Sequence, residues 1–211
     1  IDALESVQFT VGEMQAAVCE ADMAGKYVLA HCHTSPSVKN ALAAGVRSIE
    51  HGSILDEETA KDIVEHGAFM VPTLLVMDVL AKSAEAGDIP HYAQMKLRQV
   101  HTQMPVSVDL AAQAGVALGS GTDILGARQS GRGAELSLKA RVIGPMNAIL
   151  SATSTNARLF RMEDRIGRVE EGMEADLIGI AGDPLGDINV LAHDGNVRLV
   201  VKGGKVVKET I

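Results

Sequence analysis

Two histidines and one aspartate sit where side chains could do chemistry together. In VLAHCHTSPSVKNALAAGVRSIEHGS, residues 28–53, two short apolar runs each arrive at a histidine, first His31 and then His51. A later apolar run, VALGSGTDI, arrives through glycines at Asp123. A core strand has no use for an imidazole at its end unless something there needs binding. One such histidine is most often a hydrogen-bonded structural residue. Two in matching positions, with an aspartate after GSGT, point instead to a site. Neutral imidazole and carboxylate together suit zinc and related divalent metals. Glu50 precedes His51, so on a strand it points to the other face and reads as a packing or ion-pairing residue.

The surrounding elements must hold these three groups at one end of a sheet. TVGEMQAAVCEADMAG reads as a helix, with Thr10 as cap, Glu13 as its capping-box partner and Gly25 as its stop. A continuous apolar strand is expected over 26–31. SPSVKNALAAG follows as a short helix, with Ser35 as cap, Pro36 at the first position and Gly45 at the end. A second strand is expected over 46–50. DEETAKDIVEHG then reads as a helix with acids in its first turn and Gly67 at its stop. Strands over 68–72 and 116–120 flank a long, mostly helical stretch, 78–114, punctuated near Pro90 and Pro105. Helices follow through GAELSLKARVI and PMNAILSATSTNARLF. Strand–helix alternation at this spacing indicates βαβ units and a parallel sheet, and unbroken apolar strands fit a sheet covered on both faces. After residue 161 the pattern changes to short β segments separated by Gly turns. Antiparallel β structure is therefore expected over 176–208, with a boundary placed near 161.

Composition narrows the class. The chain has 211 residues, 46% hydrophobic, with a formal net charge of -8. That is enough for one sizeable core. The acidic balance and scattered cations argue against a nucleic-acid partner. No apolar stretch approaches the roughly 20 residues of a membrane span. The two cysteines, Cys19 and Cys32, do not read as a disulfide framework, so a reducing, cytoplasmic setting is expected. IDALESVQFT has neither an initiator Met nor a basic start, and reads as the continuation of a longer polypeptide.

The segments AHCHT, GVRSIEHGS, VPTL, LGSGTDI and EGMEADLIGI, in this order and spacing, resemble the amidohydrolase superfamily, nearest its imidazolonepropionase-like and Xaa-Pro dipeptidase-like branch. The resemblance covers nearly the whole chain. It implies an α/β fold, the C-terminal half of a (β/α)8 TIM-type barrel followed by part of a small β-sandwich. Residues 1–160 would supply strands 5–8 and their helices, and 161–211 the sandwich portion. His31 would end strand 5, His51 strand 6 and Asp123 strand 8. His31, His51 and Asp123 would be metal ligands, for zinc or a similar divalent ion, one or two in number. Asp123 would also be catalytic, taking the proton of an activated water and delivering it to the leaving amine. The family's strand-1 His-x-His, and the strand-4 lysine that is often carbamylated, have no counterpart here and are expected in an N-terminal half. His31-Cys32-His33 is itself a His-x-His, but on another strand.

The implied activity is hydrolysis of an amide bond, in a dipeptide or a cyclic amide. A deaminase-type hydrolase and a non-catalytic scaffold are the alternatives. The expected partner is a small molecule or dipeptide, with neither nucleic acid nor membrane; a homo-oligomer is compatible with the sequence. His33, two residues past His31 and read as a loop residue, is a candidate substrate contact. Arg98, His101 and Arg128 could reach a substrate carboxylate, although solvated charges explain them more simply. His66 suits a helix C-terminus. His91 and His193 have no pattern around them. GSGTD lacks the spacing of a phosphate-binding loop.

Overall fold

The computed structural model describes residues 3–125 and 130–210, which form two compact units, Ile1–Leu118 and Gly119–Ile211. Arg128 lies outside the described residues.

The first unit is a four-stranded parallel sheet in strand order β1-β2-β3-β4. Its strands are β1 (Leu29–Thr34), β2 (Ser48–Ile54), β3 (Phe69–Val71) and β4 (Ala117–Leu118). Sheet order follows chain order, as the strand–helix alternation predicts. Helix α1 (Val11–Met23) precedes the sheet, α2 (Ser35–Ala43) joins β1 to β2, and α3 (Glu57–Glu65) joins β2 to β3. Helices α4 (Leu74–Glu85) and α5 (His91–Ala114) together return the chain to β4.

The expected helix signals act as read at α1, and α3 carries the expected acids, Glu57 and Glu58, in its first turn. The Thr10 side chain and Glu13 form a reciprocal capping box on α1. Asp56 caps α3 by accepting the Thr59 N–H at 2.7 Å. At α2 the cap is Thr34, one residue earlier than Ser35, because Ser35 already has helical backbone. Pro105 does not interrupt α5, which runs for 24 residues. The core gathers where α2, α3 and α5 meet the sheet: Val38, Ala41, Ile49, Ile63, Met70 and Val108 are fully buried.

Two strands differ from expectation in a way that matters for the site. β1 does not stop at His31 but continues through Cys32 and His33 to Thr34, so His33 is a strand residue, not a loop residue. β2 likewise continues past His51 to Ile54. Both extensions replace apolar residues with polar ones, which is why the apolar runs end too early to mark them.

The second unit begins at Gly119. Its helices are α6 (Ala134–Ile143), α7 (Pro145–Ala152) and α8 (Ser154–Leu159). The break between α7 and α8 falls at Thr153, whose φ of -119° and ψ of -96° leave the helical range. An antiparallel three-stranded sheet, order β5-β6-β7, follows: β5 (Leu177–Ile180), β6 (Val197–Lys202) and β7 (Lys205–Glu209). Short 3-10 turns at Ile188–Ala192 and Asp194–Asn196 bridge β5 and β6. The strands, their antiparallel sense and the absence of α-helix between them match the expectation for 176–208.

Candidate functional site

In the β1–β2 ladder, His31 is partnered with Glu50, and Cys32 with His51. Partnered residues of a parallel pair share a sheet face, so a regular pleat would turn His51 away from His31. The pleat is not regular there. Between Cys32↔His51 and Thr34↔Ile54, β2 spends one more residue than β1, which is a β-bulge. The extra residue is accommodated by two successive left-handed residues, His51 at φ 73° and Gly52 at φ 56°. Gly52 is needed, since a Cβ there would stand 2.6 Å from the Met70 methyl carbon. His51 has no such freedom, and a non-glycine residue in this conformation costs about 1–3 kcal/mol.

That strain re-aims the imidazole. His51 Nε2 lies 2.8 Å from His31 Nδ1, with ring centroids 5.0 Å apart. The His51 ring also stacks on His33, at 4.7 Å between centroids and 4° between planes. Three imidazoles are thus brought onto one face from two strands.

The buried residues around the rings fix their orientation. His51 Nδ1 is 2.9 Å from Thr73 Oγ1, and His33 Nδ1 is 2.9 Å from Ser53 Oγ. His51, Ser53 and Thr73 are all buried, while His31 is exposed. If Nδ1–H of His51 donates to the Thr73 hydroxyl, Nε2 is left with its lone pair and faces His31. The two rings then share the one proton on His31 Nδ1. To hold a divalent cation, His31 and His51 would each have to offer the facing nitrogen unprotonated, with the His31 hydrogen on Nε2. Behind the bulge, Ser107 of α5 donates to the Ser53 carbonyl and accepts the Leu55 N–H, both at 2.9 Å. Glu50 accepts a hydrogen bond from Ser48 Oγ at 2.5 Å.

Cys32, between His31 and His33 on β1, is buried, and its thiol donates to the Ser37 carbonyl. Burial pushes its thiol up to about 11, a hydrogen bond with Ser37 works against this, and the charge of Glu50 adds to it. His31, Cys32 and His33 line a cavity of about 810 Å³ that Phe9, Met14 and Lys96 also border.

Asp123 lies in the second unit, on the segment that follows β4. Its φ is 52° and its side chain is exposed. No hydrogen bond or ion pair to its carboxylate is found among the described residues. A role as a turn cap would need such bonds. Among the described residues no cluster of three or more His, Cys, Asp or Glu groups is placed to hold a metal ion; within the first unit the geometry assembles two imidazole nitrogens as candidate ligands.

The lesser candidates scatter. Arg98 and His101 are exposed on α5, and His91 is exposed at its first residue. His66 caps α3, its Nδ1 2.8 Å from the Asp62 carbonyl oxygen. His193 is exposed between the two 3-10 turns. Thr73, Ser53 and Ser107 carry no individual signal in the sequence; Thr73 falls within VPTL and Ser53 within GVRSIEHGS, two of the segments the resemblance uses.

The profile of the amidohydrolase family matches residues 1–207. Ochratoxinase of Aspergillus niger is 31% identical over 203 residues, covering 95% of this chain and 42% of that protein. A prolidase crystallised with N-methylphosphonate-L-proline superposes with a TM-score of 0.94 at 38% identity, covering 99% of this chain and 52% of that one. A Xaa-Pro dipeptidase with methionine bound in its active site gives a TM-score of 0.89 at 34% identity, covering 95% and 49%. The chain therefore spans about half the length of the relatives it matches.

Proposed function

Because the chain belongs to the amidohydrolase family, we propose that it forms part of a metal-dependent hydrolase that cleaves an amide bond, with a dipeptide of the Xaa-Pro type as the first substrate class and a cyclic amide as the second. In this reading residues 1–160 supply strands 5–8 of a (β/α)8 barrel, and 161–211 part of a small β-sandwich. The observation that carries it is the pair of ring nitrogens, His31 Nδ1 and His51 Nε2, aimed at each other across 2.8 Å by a strained bulge.

The donor set fits a divalent ion. Two neutral imidazoles are borderline donors suited to zinc. The Thr73 hydroxyl on the far nitrogen of His51 is the type of outer partner that fixes a ligating imidazole. His31 and His51 would hold the ion, with Asp123 and a carbamylated lysine from outside this chain as further ligands. Once bound, the ion supplies Lewis acidity and a water acidified to a pKa of roughly 7.

The chain's own residues do the rest. The Asp123 carboxylate, free of partners among the described residues, takes up the water's proton and returns it to the leaving amine nitrogen. Thr73 keeps His51 in the tautomer that presents Nε2. His33, held by Ser53 and stacked on His51, lines the cavity, where it contacts the substrate.

The test is metal content and dipeptide turnover of the intact polypeptide. His31→Ala and His51→Ala should each lose metal by elemental analysis while keeping the wild-type circular dichroism spectrum. Unchanged metal in either variant removes that histidine from the site. A wild-type protein that binds metal but turns over no amide points to a scaffold.

A further inference from the structure

Lys139, on α6, is fully buried, which is rare for a lysine that is not paired. Its ammonium donates to the Gly119 carbonyl at 2.7 Å and reaches Ser151 Oγ at 3.4 Å. The buried carboxylate of Glu135, one helical turn earlier, is 3.9 Å away. Ser151 is itself committed, donating to the Ala148 carbonyl at 2.6 Å. The next residue of the same segment is gripped separately: Asn156, on α8, accepts the Ser120 N–H through Oδ1 and donates to the Ser120 carbonyl through Nδ2, both at 3.0 Å. Two helices thus hold two consecutive residues of GSGTD by their backbone groups.

This segment has little else to hold it. Glycine at 119 and 121 removes two side chains that could pack, so its polar backbone groups must fix its path. Three residues past Ser120 the chain turns left-handed at Asp123. We propose that Lys139 and Asn156 are positioning residues for Asp123, a clamp that fixes the backbone at Gly119–Ser120 so that the carboxylate is presented in one place. This rests on the reading of Asp123 as the proton-transferring carboxylate. Burial lowers the Lys139 ammonium to about 8, with Glu135 opposing the shift, so at neutral pH it still donates as a cation.

Three variants of the intact polypeptide test it. Asn156→Leu removes both bonds to Ser120. Glu135→Gln/Lys139→Met removes the buried pair together, leaving no uncompensated charge. Asp123→Asn reports the functional reading alone. In Asn156→Leu, exchange of the Ser120 amide should accelerate about tenfold or more, as expected when a protecting hydrogen bond is lost. In the double variant exchange over 119–123 should rise because the segment opens more often. Turnover should fall about tenfold or more with KM within about twofold, the pattern of a misplaced catalytic group and not of lost substrate binding. Faster exchange with wild-type kcat, while Asp123→Asn is inactive, overturns the clamp as a positioning device. Unchanged exchange in both variants overturns it as a clamp. Wild-type turnover by Asp123→Asn, or no turnover by the wild type, overturns the underlying reading and the proposal with it. If the double variant does not fold, Asn156→Leu, which leaves the buried pair intact, decides.

Discussion

His31 and His51 are out of phase in the strand ladder, yet their ring nitrogens meet at 2.8 Å. The contact exists only because His51 accepts a left-handed backbone. Strain of this kind persists where the surroundings over-determine it, and it concentrates at functional sites. Here the restraints are Gly52, the Thr73 hydroxyl, and Ser107 behind Ser53.

Thr73→Val should keep the fold, since the side chain is nearly isosteric, but free the far nitrogen of His51. Metal affinity of the intact polypeptide should then fall about 10–100-fold, the usual effect of losing such an outer partner. Competition with a chelator measures it, and an affinity equal to wild type would show that Thr73 does not orient the ligand.

Gly52→Ala meets both a left-handed backbone and the Met70 methyl at 2.6 Å. Sδ and Cγ of Met70 would stand at 2.8 and 3.1 Å as well, and Met70 is fully buried, so the core must shift in addition to the backbone strain. A loss of about 1–3 kcal/mol is expected from denaturant midpoints. Wild-type stability would mean that the bulge relaxes without cost.

Lys139 makes stability depend on pH in the alkaline range. Its ammonium is lowered to about 8 from an ordinary 10.5, chiefly by burial. Between those values the unfolded chain keeps a proton that the folded chain has released, so stability rises with pH through this window. Below about pH 8 both states are protonated and the burial penalty stands in full. The wild type should therefore gain on Glu135→Gln/Lys139→Met by at most about 3 kcal/mol between about pH 7 and about pH 10, at about 1.36 kcal/mol per unit of displacement. Parallel pH profiles would show that the lysine titrates normally.

The two cysteines should react very differently. Cys19 is exposed and Cys32 is buried, with its thiol pushed up to about 11. Only the thiolate is nucleophilic. An alkylating reagent at about pH 8 should modify one equivalent quickly and the second only after denaturation. Two fast equivalents would place Cys32 outside the core.

Strand order was legible in the sequence because apolar runs alternate with capped helices, and that grammar survives in the β1–β4 sheet. The start of α1 was legible at Thr10 because a capping box is a local event. The ends of β1 and β2 were not. His31, Cys32, His33 and Ser53 are polar residues inside strands, held by partners far away in the chain, and no local pattern announces them. The bulge was equally hidden: His-Gly in a strand does not say that both residues turn left-handed. Pro105 misled for the opposite reason, since the packing of a long helix overrides the break that a proline suggests.

The paired α4–α5 crossover also has a kinetic consequence. Ile49 pairs with Met70 across one short helix, but Met70 pairs with Leu118 across two helices, a loop a little more than twice as long. Each doubling of a closing loop costs about 0.6 kcal/mol of chain entropy. The reward at the far end is small, because β4 contributes only two residues to the sheet. The first three strands should therefore assemble early, around near-neighbour contacts, and β4 should join last and leave first. The strand that delivers the chain to Gly119 is thus the least secured of the four, and its amides should be the first of the sheet to exchange.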